Sequence, residues 1–260
     1  PPVSMSRLKF ASLGSGSRGN GTLVGTGKTL VMVDCGFSVR EAQRRLLRLG
    51  LEPDALAAIL VTHEHSDHVA GVARLAAQCG IPVYATHGTC SAHPLAESCR
   101  VRCIRPGERF AVGDLEVTAF TVPHDAREPV QFHFSSGAWR LGMLTDTGHI
   151  TPHVVAELSG CDALFLESNH DRTMLAAGPY HAALKRRVGS DYGHLNNEQA
   201  AELIRRAECS RLQHLVIGHI SEQNNTGELA RACAADALGC ESQWVGLADQ
   251  ESGLDWREVC

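Results

Sequence analysis

No apolar run in this 260-residue chain approaches the ~20 residues that cross a bilayer; the longest, such as residues 55–62, stop far short. A helical membrane protein is therefore excluded. No basic start leads into an apolar stretch, so nothing supports export, and a cytoplasmic location is expected. Met5 reads as the natural start, with residues 1–4 as a cloning scar. The ten cysteines include no Cys-x-x-Cys pair. Without an export signal they read as buried thiols rather than a disulfide framework. Positive charge is not in excess either: the net charge is -5. That excludes a generally basic nucleic-acid coat, although not a local basic groove. Internal repeats and low-complexity linkers are missing, so residues 5–260 read as one domain.

What is present is enough apolar material for a core, 43% hydrophobic against 20% charged residues. Fourteen histidines are also present, unevenly spread. Periodicity predicts strands over residues 7–13 and 29–33, joined by a Gly-rich turn at 14–21. A helix over 41–49, a strand over 58–61, a helix over 69–78 and a strand over 83–85 follow. The second half repeats the theme with strands at 115–122, 130–134 and 140–144 and a helix at 152–158. A strand at 163–166, a helix at 197–207 capped by Asn196, a strand at 212–217 and a helix at 225–238 complete it. Two strand sets, each followed by helices, predict an α/β sandwich of two face-to-face sheets with helices outside.

The strongest local signal is Thr62-His63-Glu64-His65-Ser66-Asp67-His68, directly after a buried strand. Three histidines and an aspartate within six residues offer imidazole and carboxylate donors for transition metals. His124, Asp146 and His219 each close a later apolar strand. One such residue is usually a turn or a cap; the recurrence argues for a shared site at the strand ends.

The order His-x-His-x-Asp-His, then His, Asp and His, resembles the metallo-β-lactamase superfamily along essentially the whole chain. The resemblance implies a four-layer αββα sandwich holding two divalent metal ions, zinc or manganese. It places His63, His65 and His124 on one cation, Asp67, His68 and His219 on the other, and Asp146 between them. Asp34 matches the superfamily's early aspartate, which supports the ligand loop from behind. Water held between two such cations loses a proton near neutral pH and becomes the nucleophile.

Longer strings narrow the likeness. Ser15-Gly16-Ser17-Arg18-Gly19-Asn20, Glu167-Ser168-Asn169-His170-Asp171 and Gly193-His194-Leu195 resemble the YycJ/WalJ (VicX) branch of DNA exonucleases. His181, Cys90 and Asn196 stand where that branch is expected to carry Pro, Trp and Ser. In ribonuclease Z, another branch, a Glu and a later Gly-His assist proton transfer to the leaving group. Glu167 and Gly193-His194 occupy similar places, which implies a general acid, His194, oriented by Glu167, with His170 as the alternative acid. Asp67 is counted among the catalytic residues as well as the ligands. Lys185 and Arg186, in the one basic triplet, are the expected backbone-phosphate anchors. Ser17 and Asn20 would present the Gly-rich turn to phosphate, and Asn169 and His170 are further expected substrate contacts.

The expectation is a binuclear metal-dependent phosphodiesterase, most specifically a DNA exonuclease, with DNA as its partner. The rivals are a small-molecule hydrolase of the same fold, such as a thioesterase or lactamase, and a non-catalytic metal-stabilised module. The latter fits poorly, because structural metal sites leave no open position.

Overall fold

The computed structural model describes residues 7–260, so the reading of Met5 and residues 1–4 lies outside the described residues. The first half runs β1 (Leu8–Gly14), β2 (Gly21–Gly25), β3 (Leu30–Val33), α1 (Val39–Arg48), β4 (Ala58–Leu60), α2 (Ser66–Val69), α3 (Val72–Cys79), β5 (Val83–Thr86), α4 (His87–Ala92) and β6 (Val101–Ile104). The second half runs β7 (Arg109–Val112), β8 (Leu115–Thr121), β9 (Val130–Ser136), β10 (Trp139–Leu144), α5 (Pro152–Leu158), β11 (Ala163–Glu167), α6 (Arg172–Ala177), α7 (Ala182–Val188), α8 (Asn197–Arg206), β12 (His214–Gly218), α9 (Gly227–Leu238) and β13 (Gly246–Leu247). The last strand, β14 (Leu254–Val259), crosses back to the first sheet and pairs with β1.

Two seven-stranded sheets result, ordered β14-β1-β2-β3-β4-β5-β6 and β13-β12-β11-β10-β9-β8-β7, the first completed by the final strand of the chain. Each sheet changes from antiparallel to parallel pairing part-way, at β3/β4 in the first and β10/β11 in the second. Parallel strands need crossovers, and helices supply them, so each sheet carries helices on its outer face. Three apolar layers follow. Phe10, Val31, Leu60, Phe132, Leu141 and Phe165 fill the space between the sheets. Met32, Ile59 and Leu75 pack beneath α1 and α3. Leu144, Leu166 and Ile217 pack beneath α5, α8 and α9. The alternation of neighbours such as Leu60 and Ile59 between two layers is the period of a strand buried on both faces. The αββα expectation holds.

Local departures have local causes. The helix expected over 69–78 is two helices, because the Gly71 N–H leaves the helical ladder and donates to the Cys35 carbonyl at 2.8 Å. β2 was hidden by its terminal glycines, although all five residues are buried. Asn196 caps α8 as expected, in a reciprocal capping box with Gln199. His181, unlike the expected proline, also caps a helix: its Nδ1 accepts from the Leu184 N–H of α7.

Candidate metal centre

Among the described residues, three non-glycine residues have left-handed backbones: Asp34, Asp146 and His219, with φ of 60°, 52° and 50°. Asp34 and His219 directly follow β3 and β12, and Asp146 comes one residue after the end of β10. Such a conformation costs roughly 1–3 kcal/mol and persists only where surroundings enforce it. Three such bends, one on the first sheet and two on the second, bring three side chains against the loop after β4, where each meets His68.

That loop is held from behind by Asp34. The Thr62 N–H donates to its Oδ1 and the Thr62 hydroxyl to its Oδ2, both at 2.8 Å. His68 Nδ1 donates to Oδ2, also at 2.8 Å. The only Thr62 hydroxyl proton is thus spent, so Thr62 Oγ1 must accept from His63 Nδ1 at 2.9 Å. His124 Nδ1 donates to the Gly193 carbonyl at 3.0 Å, and His65 Nε2 to the Asp125 carbonyl at 3.2 Å. Four tautomers are fixed this way, each leaving its second nitrogen as a lone-pair donor. Gly36 lets this loop seat closely, since a Cβ there would lie 1.8 Å from the Asp67 carbonyl. Gly193 does the same beside the Arg187 and Val188 carbonyls.

The freed atoms form two groups. His63 Nε2 and His124 Nε2 lie 3.0 and 3.3 Å from His65 Nδ1. Ligands 2.0–2.1 Å from a tetrahedral zinc stand about 3.3 Å apart, so this triad has the right spread. In the second group, His68 Nε2 lies 3.4 Å from Asp67 Oδ2, and Asp67, His68 and His219 converge. Asp146 stands between the groups: its Oδ2 is 3.1 Å from both His68 Nε2 and His219 Nδ1, and its Oδ1 is 3.9 Å from His124 Nε2.

The donor chemistry fits divalent cations. Burial pushes His63 well below the usual histidine range, helped by the charge of His68, and burial lowers His124; both are neutral ligands. Burial would lower His68 too, but Asp146, Asp34 and Asp67 outweigh it and hold the ring well above its ordinary value. Three carboxylates thus crowd one imidazole, a surplus of negative charge that a cation would neutralise. Asp146 Oδ2 and His219 Nδ1 are buried without a hydrogen-bond partner among the described residues. A bound ion is the ordinary reason for such orphans. Asp34→Asn keeps the shape and tolerates the bent backbone, yet weakens the grip on His68. It should lower metal affinity 10–100-fold with the fold intact, measured by competition with a chelator; unchanged affinity would deny Asp34 its orienting role.

Beside the metal donors, His194 Nδ1 binds Glu167 Oε1 at 2.6 Å. Glu167 is fully buried, and its other oxygen accepts the Thr147 and Leu195 N–H groups. Burial works against a proton on His194, but the charge and hydrogen bond of Glu167, with Asp146 and Asp67, outweigh it and hold the ring up to about 9. Asp146, Glu167, His194 and His219 are also close enough to share an ion, but Glu167 already occupies His194 Nδ1.

A cleft of about 380 Å³ opens over this centre, lined among others by Ser17, His65, Asp67, Asp146, Tyr180, Arg187, His194 and His219. The expected substrate contacts divide here. Ser17 lines the cleft, but the turn around it is no phosphate cradle: the N–H groups of Gly16, Arg18, Gly19 and Asn20 all donate within the protein. Asn20 is buried, with its amide on the Gly16 carbonyl and against Asp67 and His68, so it buttresses the ligand loop instead. Asn169 is likewise buried and donates to the His219 carbonyl. Lys185, Arg186 and His170 line a different cavity. Of the basic triplet it is Arg187 that lines the metal cleft, ion-paired to Asp125. Sequence reasoning singled out Lys185 and Arg186 of the basic triplet rather than Arg187, and assigned Asp125, Thr62 and Gly193 no role of their own. The helical period was the available signal for Arg187, since residues 184, 187 and 188 share one face of α7.

The sequence profile of the β-lactamase superfamily domain matches residues 29–220. Exodeoxyribonuclease YycJ of Bacillus anthracis is 36% identical over 245 residues, 93% of each chain. Exodeoxyribonuclease WalJ of Streptococcus pneumoniae is 34% identical over 246 residues, 92% of this chain and 91% of that protein. The metallo-β-lactamase fold protein YhfI of Bacillus subtilis superposes with a TM-score of 0.76 at 18% identity, covering 97% of this chain and 99% of that one. No helix among the described residues is long and apolar enough to cross a membrane. With its ligand loop, its paired sheets and relatives matched almost end to end, this chain belongs to the β-lactamase superfamily and is a metal-dependent hydrolase of the metallo-β-lactamase fold.

Proposed function

We propose that this hydrolase is a DNA exonuclease. The observation that carries the reading is the adjacency, in one cleft, of a bridged pair of donor groups, an arginine and a Glu-His couple. His63, His65 and His124 would hold one cation, Asp67, His68 and His219 a second, and Asp146 both. Bound there, two divalent cations would polarise a phosphate and activate water as the nucleophile. The rest falls to the chain's own groups. Arg187, at the cleft wall, can pair with a backbone phosphate in exchange for Asp125. Glu167 fixes the His194 ring through Nδ1, leaving Nε2 to give its proton to the departing deoxyribose oxygen. A thioester or lactam would make less use of Arg187 and of the Glu167-His194 couple, and the exonuclease relatives agree with the phosphodiester reading.

The test is end-dependence. Linear DNA labelled at either end should be degraded by enzyme stripped of metal and reloaded with zinc or manganese, while covalently closed plasmid stays intact. Nicking of the closed circle at a rate similar to linear loss would overturn the exonuclease assignment. Failure on all DNA, with rapid turnover of thioesters or lactams, would favour the small-molecule reading.

A further inference from the structure

Helix α7 is a partition. Its residues Leu184, Arg187 and Val188 line the metal cleft, whereas Lys185, Arg186 and the adjoining Gly189 line a second cavity of about 590 Å³. His170, Arg172, Glu198 and Glu202 contribute to the other walls of that cavity. None of the metal donors reaches it.

Its charged side chains are mostly unpaired. Those of Arg172, Arg186, Glu198 and Glu202 have neither a hydrogen bond nor an ion pair among the described residues, whereas Asn196 and Gln199 in the same wall are taken up by the α8 capping box. Lys185 spends one proton on the Ala176 carbonyl. His170 is 2% exposed, yet its Nδ1 has no partner among the described residues. Burial pushes that ring down to about 4, so it is neutral and can donate or accept. A buried polar atom without a partner is costly, and His170 is one of the residues lining this cavity.

The charges restrict the occupant. A bare anion would meet Glu198 and Glu202; a bare cation would meet Arg172, Lys185 and Arg186. The complementary ligand is anionic at one end and rich in N–H donors at the other. A nucleotide has this character: its phosphate suits the guanidinium forks, and the amino and imino edge of its base suits carboxylates. The volume falls in the range of small-molecule sites.

We propose that this cavity binds one nucleotide, at a site separate from the metal cleft. Resting on the nuclease reading, we take that nucleotide to be part of the DNA strand whose end lies at the metals. The strand would cross α7, with Arg187 on the near side and Arg172 and Arg186 on the far side. A helix is ~10 Å across with its side chains. At ~3.4 Å per nucleotide, the far cavity lies about three nucleotides from the scissile bond.

Inhibition of bis(p-nitrophenyl) phosphate hydrolysis by phosphorothioate-linked oligodeoxynucleotides tests this in the metal-loaded enzyme. The inhibition constant should fall about tenfold from the dimer to the tetramer and little thereafter, a step worth one good phosphate contact. The Arg172→Ala/Arg186→Ala variant should lose that step. The dimer's constant and the hydrolysis of the chromogenic ester should stay within about twofold, which also reports a folded protein. Calorimetric titration with free deoxynucleoside 5′-monophosphates distinguishes the source. If the double variant loses their binding but keeps the length step, the occupant is a free nucleotide, and the strand path across α7 is wrong. If both are unchanged in the variant, the cavity binds no nucleotide and the proposal falls. A wild-type enzyme that degrades no DNA would refute the nuclease reading by itself; the nucleotide titration would still decide the cavity.

Discussion

Asp146→Asn should abolish hydrolysis of DNA and of a chromogenic phosphodiester alike, by about a thousandfold or more in kcat. Asparagine has nearly the same shape and tolerates the left-handed backbone at this position, where φ is 52°. What it removes is the charge standing within 3.1 Å of His68 and His219 and facing His124. Without it, neither donor group keeps its shared anion. Metal content by elemental analysis should fall from about two ions per chain to one or none. The variant also separates metal loss from misfolding. Ligands that bind only the native state stabilise it by mass action, roughly 4 kcal/mol at a thousand times Kd. In a chain this long that amounts to about 10 °C in Tm. Chelation should therefore lower the wild-type Tm by about that much, and that of Asp146→Asn hardly at all. Two retained ions with activity within tenfold of wild type would show that Asp146 does not bridge.

Why Asp146 could be picked from the sequence, and Arg187 could not, follows from how each is positioned. A ligand that closes an apolar strand is placed by the strand: Leu144 ends β10, and Asp146 follows at the sheet edge whatever the surrounding loops do. His124 after β8 and His219 after β12 obey the same rule, which made the donor set legible before any geometry was known. Arg187 instead sits on a seven-residue helix whose orientation depends on contacts from distant segments, such as the Asp125 carboxylate. The charge of the triplet was visible, but not which face of α7 looks at the metals. Asn20 fails for a related reason. A Gly-rich turn can cradle an anion or brace a loop, and only the Asp67 carbonyl meeting its N–H at 2.8 Å decides between them. The strand β14 was missed because its partner, β1, lies at the opposite end of the chain.

His194→Ala should cost ~10²–10⁴-fold in kcat on DNA while both metal ions stay bound, the usual contribution of a positioned acid. The geometry singles out His194 rather than its rival. His194 lines the cleft and its Nδ1 is fixed by Glu167 at 2.6 Å, whereas His170 is buried in the wall of the other cavity. His170 is also pushed down to about 4 by burial, so at neutral pH it is not the imidazolium that a general acid requires. His194 is held in the opposite direction, because the Glu167 and Asp146 carboxylates outweigh its burial. The decisive measurement compares leaving groups. A deoxyribose alkoxide is a strong base and needs a proton as it departs; a nitrophenolate is stable without one. The loss in His194→Ala should therefore shrink to within about tenfold on a nitrophenyl ester. Glu167→Gln should show the same leaving-group dependence with a smaller loss, since it weakens the ring's anchor without removing the acid. His63→Ala provides the contrast, because losing a metal ligand should harm both substrates equally. If His194→Ala instead releases an ion, the ring is a ligand, as its nearness to Asp146 and His219 would permit. If it harms both substrates equally with the metals retained, the proton comes from elsewhere and Glu167 serves only to hold the β11 edge.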